Sequence, residues 1–253
     1  MKIALVGYGK MGQEVERAAS QKGHSIVARI DPLAEGCSAR DITAATLEPA
    51  DVCIEFTQPD AVVTNAEQVA RLKKPIVVGT TGWYEHLAAV EKAVLEAGSA
   101  LVYAPNFSLG VNLFYRIAET AAALFEGFEE YDVSGMEMHH RRKVDSPSGT
   151  ARRLGEIVLK AFPRKKRVRS DAIDRAIAPE EFHLVSVRAG YFPGTHSLTF
   201  DSAADTVELI HTARSRAGFA SGALLAAEWI VGRKGVYTFE QVLEDLLGPR
   251  ATI

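Results

Sequence analysis

The sequence predicts an α/β protein that combines a doubly wound parallel sheet with a second domain of α+β type, whose sheet is mixed or antiparallel. Three observations support this class. Residues 1–103 alternate short apolar runs with longer amphipathic stretches, residues 183–213 contain three extended segments, and helical spacing returns in the last forty residues. Alternating strands and helices favour parallel sheets with right-handed crossovers. Extended segments joined by short turns favour antiparallel pairing.

Five apolar runs in the first part of the chain predict strands. They are rich in β-branched residues and mostly apolar on both faces, as buried parallel strands are. The predicted strands cover residues 2–6, 24–30, 51–56, 75–78 and 100–103. Helical spacing with charged outer faces predicts helices between them at residues 11–22, 59–72 and 84–97.

The pattern changes after residue 107. The spacing predicts a long helix over 108–125 with Ser108 as its N-cap, a strand over 131–140, and a helix from about Ser148 to Phe162. Further extended segments follow at 183–190, 194–201 and 206–213, and then helices at 218–231 and 239–247. We therefore predict a first domain made of residues 1–107 and 217–253, and a second domain made of residues 108–216.

Composition excludes several classes of function. The chain has 253 residues and a formal net charge of −3, which disfavours binding to nucleic acid or to anionic membranes. The basic run at 163–169 has no interleaved aromatic residue and is interpreted as a solvated loop. The two cysteines, Cys37 and Cys53, have no spacing that suits zinc, so we predict no metal site. Without a signal-like or membrane-length apolar run, the expected location is the cytoplasm.

A glycine motif follows the first predicted strand and opens the first helix. Gly7 permits a tight turn, Gly9 lets the backbone approach a pyrophosphate, and Gly12 allows close helix–strand packing. Asp31 ends the second strand, where a carboxylate accepts hydrogen bonds from ribose hydroxyls. This pattern predicts a Rossmann-type site for NADH or NADPH. The residues assigned to the turn are Gly7, Tyr8, Gly9, Lys10, Met11 and Gly12.

The choice between the two dinucleotides stays open. The charge of Asp31 favours NADH, because it would repel a 2′-phosphate, whereas Lys10 could offset that repulsion. Two further segments end strands of the first domain and could border a nicotinamide ring, although ordinary turn chemistry with helix caps explains them equally well. Their residues are Gly79, Thr80, Thr81, Ala104, Pro105, Asn106 and Phe107.

The stretch HHRRKVDSPSGT at 139–150 places cations directly before a predicted helix start. Pro147 suits a first helical turn, and Ser148, Gly149 and Thr150 would offer unpaired N–H groups that bind a carboxylate or phosphate. His140 and Lys143 are three residues apart and could close around the same anion. The arrangement fits a small acid with more than one carboxylate.

Each of these side chains also has an ordinary structural interpretation. A single histidine or lysine is usually a surface residue or a satisfied core residue, and we keep Arg141 and Arg142 in that class. Two adjacent histidines and Lys143 before a glycine-containing helix start favour function instead. Such groups can supply a general acid near neutral pH.

Several motifs together resemble the dihydrodipicolinate reductase family, also called 4-hydroxy-tetrahydrodipicolinate reductases. The likeness covers nearly the whole chain, and the histidine-pair motif is its most specific part. The motifs are GYGKMG (7–12), EFTQP (55–59), GTTG (79–82), APNFSLGVN (104–112), EMHHRRKVDSPSGTA (137–151), VRAGYFPGTHSLTF (187–200) and ARSRAGFASGALLAAEWI (213–230).

The resemblance implies a reaction and a set of roles. The reaction is hydride transfer from NADPH or NADH to a cyclic imine, which gives tetrahydrodipicolinate in the diaminopimelate route to lysine. By position, His139 is implied as a proton donor or acceptor and Lys143 as the proton donor. His140 and the backbone of Gly149 and Thr150 are implied to hold the substrate carboxylates. The family also implies nicotinamide contacts from residues 79–81 and 104–107, and a homotetramer that assembles through the sheet of the second domain.

Some features depart from the family pattern. The glycine loop is short and carries Lys10 where arginine is common, Asp31 replaces a frequent glutamate, and the segment 163–182 is short. Two alternatives to the reductase remain at this stage. One is a related two-domain dehydrogenase for an amino-acid semialdehyde or an oxo acid, and the other is a dinucleotide-sensing protein without turnover.

Overall fold

The computed structural model describes residues 1–248 of the chain. These residues form two compact units. One unit contains Met1–Leu109 and the chain from Arg216 onward, and the other contains Gly110–Ser215. The last five residues of the predicted first domain, 249–253, lie outside the described residues. No helix among residues 1–248 has the length and apolar character needed to cross a membrane.

The first unit is built on a six-stranded parallel sheet. Its strands are β1 (Lys2–Val6), β2 (Ser25–Ile30), β3 (Val52–Glu55), β4 (Ile76–Val78), β5 (Ala100–Tyr103) and β11 (Gly235–Thr238). Their order across the sheet is β11-β5-β4-β3-β1-β2, and every neighbouring pair is parallel. β2 lies on one side of β1, and β3 and the later strands lie on the other side, so the direction in which strands are added reverses at β1. Ligands of open α/β sheets bind at such a reversal, outside the carboxyl ends of the strands.

Helices cover both faces of this sheet. They are α1 (Lys10–Gln21), α2 (Ala44–Leu47), α3 (Pro59–Arg71), α4 (Leu87–Glu96), α7 (Ala217–Ile230) and α8 (Phe239–Leu247), and a 3₁₀ turn (Tyr84–His86) precedes α4. Alternate residues of one strand enter different hydrophobic clusters: Ile3 and Leu5 pack with α7 and α8, while Ala4 and Val6 pack with α3 and α4. Burial on both sides explains why these strands are apolar throughout.

The second unit contains a mixed five-stranded sheet and two helices. Its elements are α5 (Leu109–Glu126), β6 (Asp132–His139), α6 (Gly149–Ala161), β7 (Arg167–Arg169), β8 (Glu181–Arg188), β9 (Thr195–Asp201) and β10 (Thr206–Thr212). The strand order is β10-β9-β6-β8-β7. β9 is antiparallel to β10 and β6, whereas β8 is parallel to β6 and β7.

The expectation that the segments at 183–190 and 194–201 pair with each other is wrong, because β6 lies between β8 and β9. The sheet is mixed, as the predicted class allows. One of its faces packs on α5 and α6 through Phe114, Leu154 and Leu198. This inward face holds the apolar core of the unit and, toward one end, the polar residues described below.

The basic run at 163–169 is not the solvated loop that its composition predicts. Lys165 is 2% exposed, and its Nζ lies 2.5 Å from the Asp132 carboxylate and donates to the Pro179 carbonyl at 2.9 Å. Arg167 and Arg169 belong to β7, and both pair with the buried carboxylate of Glu181. The run is basic because it neutralises acidic groups of its own unit.

Candidate active site

The turn after β1 has the geometry of a phosphate-binding loop. Gly7 has a φ of +91°, and a Cβ placed there would lie 2.1 Å from the Phe56 carbonyl oxygen. A Cβ on Gly12 would lie 2.3 Å from the Gly7 carbonyl oxygen, so α1 packs closely on the turn. Around Gly9, by contrast, the described chain places no atom within 4 Å of the Cβ position. The turn therefore leaves open space at the N-terminus of α1, where N–H groups and the helix dipole favour a phosphate.

The side chains of this turn have different surroundings. The Tyr8 hydroxyl donates a short hydrogen bond to Glu16, and the Arg29 guanidinium pairs with the same carboxylate. Arg29 also lies 5.7 Å from the centroid of the Tyr8 ring. Met11 packs against the core, whereas Lys10 is exposed at the first position of α1. Lys10 is thus the cation that the turn presents to solvent.

Asp31, directly after β2, supports the glycine turn. Its Oδ2 accepts the Tyr8 N–H at 2.8 Å, and its Oδ1 accepts the N–H groups of Leu33 and Ala34, both at 2.9 Å. Burial opposes ionisation, but these three bonds hold the pKa of Asp31 below its ordinary value. An ionised carboxylate has about four acceptor directions. A ribose hydroxyl can therefore still bind, although Asp31 has a structural role that the sequence did not reveal.

The segments 79–81 and 104–107 follow neighbouring parallel strands, β4 and β5, and so reach the same edge of the sheet. A Cβ on Gly79 would lie 2.1 Å from the Phe56 ring, so this glycine makes room for the aromatic side chain. The Thr80 hydroxyl accepts the Thr57 N–H at 2.7 Å, and the Thr80 carbonyl accepts the Trp83 indole N–H at 2.8 Å. Thr81 is exposed.

Residues 104–107 do not all point the same way. Ala104 and Phe107 are each 2% exposed, and the Phe107 ring packs 5.0 Å from that of Phe239. Pro105 is exposed, and the Asn106 side-chain oxygen accepts the N–H of Ser108 at 2.8 Å. Because the Phe107 ring belongs to the core, its backbone atoms are what it can offer to a ligand.

A buried carboxyl group that the sequence did not single out lies beside Thr57. Glu55 ends β3 with 0% exposure, and burial raises its pKa. The Thr57 hydroxyl donates a short hydrogen bond to Glu55 Oε1, while Oε2 lacks a hydrogen-bond partner among the described residues. Glu55 thus binds the side chain of Thr57, whose N–H donates to Thr80. Its signal in the sequence is the acidic residue of EFTQP.

In the second unit, the inward face of the sheet changes from apolar to polar along β6. Val133 and Gly135 pack in the core, and Glu137 and His139 follow on the same face. The register places Ser186 of β8 and His196 of β9 opposite Glu137. The register also places Arg188 of β8 opposite His139. The alternation of β6 thereby places His139, a predicted catalytic residue, in a polar row formed with Glu137, Ser186, Arg188 and His196.

His139 is held neutral near physiological pH. Burial lowers its pKa to about 4, and the nearby cations Lys143 and Arg188 act in the same direction. The Glu137 carboxylate opposes this shift, with Oε2 3.0 Å from His139 Nδ1. A Cβ on Gly194 would lie 2.9 Å from His139 Nε2. The Nε2 edge of the ring therefore faces a position that has no side chain.

The other residues of the histidine-pair motif lie in the turn after β6. Lys143 Nζ is 2.8 Å from Asp145 Oδ1, and this contact holds the pKa of Asp145 below its ordinary value. The His140 N–H donates to the Phe192 carbonyl at 2.9 Å, and its side chain is half-buried. Arg141 and Arg142 are exposed, as expected for solvent-facing groups, and Arg141 lies 5.9 Å from the Tyr191 ring centroid.

The start of α6 differs from the prediction at one position. Ser148 is the N-cap: its hydroxyl accepts the Ala151 N–H at 3.1 Å. Its own N–H donates to Glu137 Oε1 at 3.0 Å, so the expectation of an unpaired Ser148 N–H is wrong. Pro147 precedes the cap and is not the first helical residue. Gly149 opens the helix, and apart from its chain neighbours and its own helix backbone no described atom lies within 4 Å of its Cβ position, so a ligand can approach the backbone there.

Three side chains of the polar row could in principle hold a metal ion. Ligand atoms of Glu137, His139 and His196 lie within 4.8 Å of one another. However, the Arg188 guanidinium donates to the Glu137 carboxylate at 2.7 Å. This cation already neutralises the only anionic group of the trio and would repel a metal, so we interpret the row as a hydrogen-bonded network.

The residues predicted to bind the dinucleotide thus lie in the first unit, and those predicted to transfer a proton and to bind carboxylates lie in the second. Sequence reasoning missed Glu137, Arg188, Gly194 and His196. A signal for Glu137 was available, because positions 137 and 139 share one face of a strand. The other three come from strands distant in sequence, and only the sheet register brings them to His139.

Comparison with known proteins gives a consistent result over the whole chain. A family model described as the N-terminus of dihydrodipicolinate reductase matches residues 1–107, and a model of the C-terminus of the same protein matches residues 110–243. A curated 4-hydroxy-tetrahydrodipicolinate reductase of Christiangramia forsetii is 38% identical over 246 residues, which cover 97% of this chain and 99% of that protein. One of Thiobacillus denitrificans is 36% identical and covers 96% and 98%.

A solved structure with the same architecture is the dipicolinate-bound dihydrodipicolinate reductase from Paenisporosarcina sp. TG-14. It is 25% identical, the alignment covers 95% of this chain and 98% of that one, and the TM-score is 0.77.

Proposed function

The chain belongs to the dihydrodipicolinate reductase family, and we infer that it reduces 4-hydroxy-tetrahydrodipicolinate, through the dihydrodipicolinate imine, to tetrahydrodipicolinate with NADPH or NADH. This reaction is a step of the diaminopimelate route to lysine. The observation that carries the inference is the HHRRKVDSPSGT segment in a chain that matches the curated reductases along almost their full length. In the chain, His139 and Lys143 of this segment precede Gly149, the first residue of α6, which supports the inference.

The glycine turn fits the dinucleotide that this reaction requires. We assign the pyrophosphate to the open space beside Gly9 at the N-terminus of α1. Asp31 would bind the ribose, and residues 79–81 with the backbone of 104–107 would contact the nicotinamide. When bound, the reduced nicotinamide supplies the hydride. Asp31 favours NADH and exposed Lys10 favours the additional phosphate of NADPH, so we propose that the protein accepts both.

The start of α6 suits the substrate, which is a small dicarboxylate. Gly149 gives a carboxylate access to the backbone, and the backbone of Thr150 continues the first turn of the helix. His140 and Lys143 add polar and cationic side chains nearby in the chain. Main-chain N–H groups and the helix dipole bind such anions without a dedicated side chain.

We assign the proton to Lys143. Reduction of the conjugated ring leaves an electron-rich enamine that must take up a proton, and a cation beside it would stabilise the developing charge and supply that proton. His139 has a pKa of about 4 and is neutral at physiological pH. In this assignment His139 accepts or relays a hydrogen bond, and the Lys143 ammonium, held by Asp145, is the donor.

The alternatives account for fewer of these features. A related amino-acid or oxo-acid dehydrogenase would share the glycine turn but has no use for the histidine-pair segment. A dinucleotide sensor without turnover would not explain the presence of His139 and Lys143.

One assay separates the three functions. Oxidation of NADPH and NADH is followed by absorbance, with the product of the aldolase-like synthase that precedes this step as substrate. Turnover with that compound supports the reductase. Cofactor binding without turnover supports the sensor, and turnover only with other oxo acids supports the related dehydrogenase.

We also propose that the protein is a cytoplasmic homotetramer that assembles through the second sheet. The face of this sheet opposite to α5 and α6 has partly exposed apolar side chains: Met136, Val185 and Ile210 are 40%, 36% and 60% exposed. The register places Met136 beside both Val185 and Ser197, and Ser197 beside Ile210, so they form one row across four strands. An apolar row of this kind favours association with another sheet.

A further inference from the structure

Glu137 is a fully buried carboxylate to which the proposed reaction gives no step. It has 0% exposure and lies on the inward face of β6, two residues before His139. A buried carboxylate stays ionised only if donors replace its lost hydration. Although burial opposes ionisation, the nearby His196 and the hydrogen bonds from Ser148, Arg188 and Ser186 hold the pKa of Glu137 far below its ordinary range.

Three donors converge on a single oxygen of this carboxylate. Glu137 Oε1 accepts the Ser148 N–H at 3.0 Å, the Ser186 hydroxyl at 2.7 Å and an Arg188 N–H at 2.7 Å. The donors come from the cap of α6 and from β8. They fix the plane of the carboxylate and leave the second oxygen to face the two histidines.

The second oxygen, Oε2, lies beside His139. It is 3.0 Å from His139 Nδ1 and 3.6 Å from His196 Nε2. Glu137 Oε2 and His139 Nδ1 are within hydrogen-bond distance, but the angles do not meet the requirements of a hydrogen bond, and neither atom has another hydrogen-bond partner among the described residues. The two imidazoles meet edge to face with centroids 5.1 Å apart, so His196 packs against the His139 ring.

The opposite edge of the His139 ring faces Gly194. Since a Cβ there would lie 2.9 Å from Nε2, a side chain at this position would collide with the ring. Gly194 also has a φ of +150°, a conformation that other residues rarely adopt. The His139 ring therefore has the Glu137 carboxylate beside Nδ1 and no side chain of residue 194 beside Nε2.

We propose that Glu137 is a positioning residue for His139. Its carboxylate fixes the neutral imidazole as the Nδ1–H tautomer with Nε2 directed away from the buried network, and the bond to Ser148 fixes the start of α6 with the same group. The buried Glu137 carboxylate thereby fixes the position of the His139 side chain relative to the start of α6, which would bind the substrate carboxylate. The proposal rests on the proposed function for its kinetic consequences, but not for the tautomer.

The groups whose charge acts on His139 come from several elements. They are Glu137 on the same strand, Arg188 on β8, His196 on β9 and Lys143 in the turn after β6. Any change in the titration of His139 has to be compared with variants that leave these groups in place.

The tautomer is tested first in the unchanged protein. Histidine labelled with ¹⁵N at both ring positions gives two-bond couplings that distinguish the Nδ1–H from the Nε2–H form, and a His139→Gln spectrum assigns the signal. We expect His139 to be neutral and Nδ1-protonated at pH 7. An Nε2–H form, or a charged ring at pH 7, would overturn the proposal without any need for a Glu137 variant.

The carboxylate is tested with Glu137→Gln, which keeps the shape and removes the charge. We expect kcat to fall roughly 10–100-fold, as for a small misplacement of a reacting group, with a smaller change in KM. We also expect a mixture of tautomers at His139. A Glu137→Gln protein with the same His139 tautomer as the unchanged protein and a kcat within about twofold would refute the role.

Glu181→Gln is the matched control. Glu181 is also a fully buried carboxylate of the second sheet that pairs with arginines, but those are Arg167, Arg169 and Arg175. Its substitution should lower stability while the His139 tautomer and kcat stay unchanged. Equal losses of kcat in both variants would mean that Glu137 is merely structural. If the unchanged protein shows no turnover, the proposed function fails, and the tautomer measurement still decides the inference.

Discussion

Two opposing electrostatic effects act on the imidazole of His139. Burial and neighbouring cations favour the neutral ring, the Glu137 carboxylate favours the charged ring, and burial prevails. The outcome is a histidine whose pKa of about 4 lies below its ordinary value of 6.5. In the same motif, the Lys143 ammonium is stabilised by Asp145. His139 and Lys143, four residues apart in one motif, therefore lie beside different carboxylates, those of Glu137 and Asp145.

The His139 shift predicts a pH dependence of stability. The ordinary pKa of 6.5 falls to about 4 in the folded protein, so between these values the unfolded chain binds a proton that the folded protein does not. The contribution of His139 to the free energy of unfolding is complete above pH 6.5 and is lost as the pH falls toward 4. Urea unfolding at pH 6.5 and 4.5 should show a smaller loss for His139→Gln than for the unchanged protein. The exposed His86→Gln should behave as the unchanged protein does, and an unaltered loss in His139→Gln would contradict the shift.

Substitution of Lys143 tests the assignment of the proton. Lys143→Ala should lower kcat by about 10²–10⁴-fold, the usual contribution of a general acid. Steady-state kinetics with saturating cofactor measures this change. Arg142→Ala, which removes an exposed cation from the same turn, is the control and should keep kcat within about twofold. A loss of only a few-fold in Lys143→Ala would return this lysine to a structural role.

Asp31 gives a prediction about the cofactor. Asp31→Ala removes a ribose acceptor and also a charge that repels a 2′-phosphate, so KM for NADH should rise more than KM for NADPH. Because the carboxylate also bonds the turn through Tyr8, both constants should increase to some extent. Asp41→Ala, at an exposed carboxylate nearby in the chain, should alter neither. Equal increases in Asp31→Ala would show that the carboxylate does not contact the ribose.

At the level of the elements, different glycines of the turn in the first βα unit serve the stability of the fold and the binding of a ligand. Gly7 and Gly12 are required by close backbone contacts, whereas the open side of Gly9 is required by no contact of the protein itself. Gly9, which no packing contact requires, is therefore the glycine at which we expect a ligand to approach the backbone. The start of α6 shows the same principle, since Ser148 caps the helix and Gly149 remains open.

Two alanine substitutions test this separation. Gly7→Ala should lower the free energy of unfolding by about 2 kcal/mol or more, because of its positive φ and the 2.1 Å approach to Phe56. Gly9→Ala should cost less, up to about 1 kcal/mol, because Gly9 is the N-cap of α1 and alanine is a poor cap, but it should weaken NADH and NADPH binding. Thermal unfolding and cofactor titration by fluorescence measure the two effects. Tight cofactor binding by Gly9→Ala would contradict a phosphate at this position.

Long periodic elements were predictable, and short ones were not. The helices α5, α6 and α7 begin and end within one residue of their predicted bounds. The sequence did not predict α2, β7 or β11, which have three or four residues each and too few positions to show a period. β11 is a strand because it pairs with β5 at the edge of the first sheet, a long-range contact.

For the whole molecule, the exposed row of the second sheet predicts self-association. Ile210→Glu should place a charge in that row and reduce the mass in solution, measured by light scattering after size-exclusion chromatography. Leu95→Glu is the control, since Leu95 is also 60% exposed but lies on α4. It should leave the mass unchanged. A monomeric unchanged protein would contradict the homotetramer.

The glycine turn, the α/β class and the histidine-pair segment could be recognised in the sequence because each is a local pattern: a chain reversal, a period of hydrophobicity, and a run of charges before a helix start. The sequence alone therefore determined the family resemblance and which side chains are candidates for chemistry. Only the tertiary structure decided that Glu137 lies beside His139, that Ser148 caps a helix with its N–H already bonded, and that Phe107 packs in the core. These facts depend on strand register and burial, which arise from contacts between residues far apart in the chain.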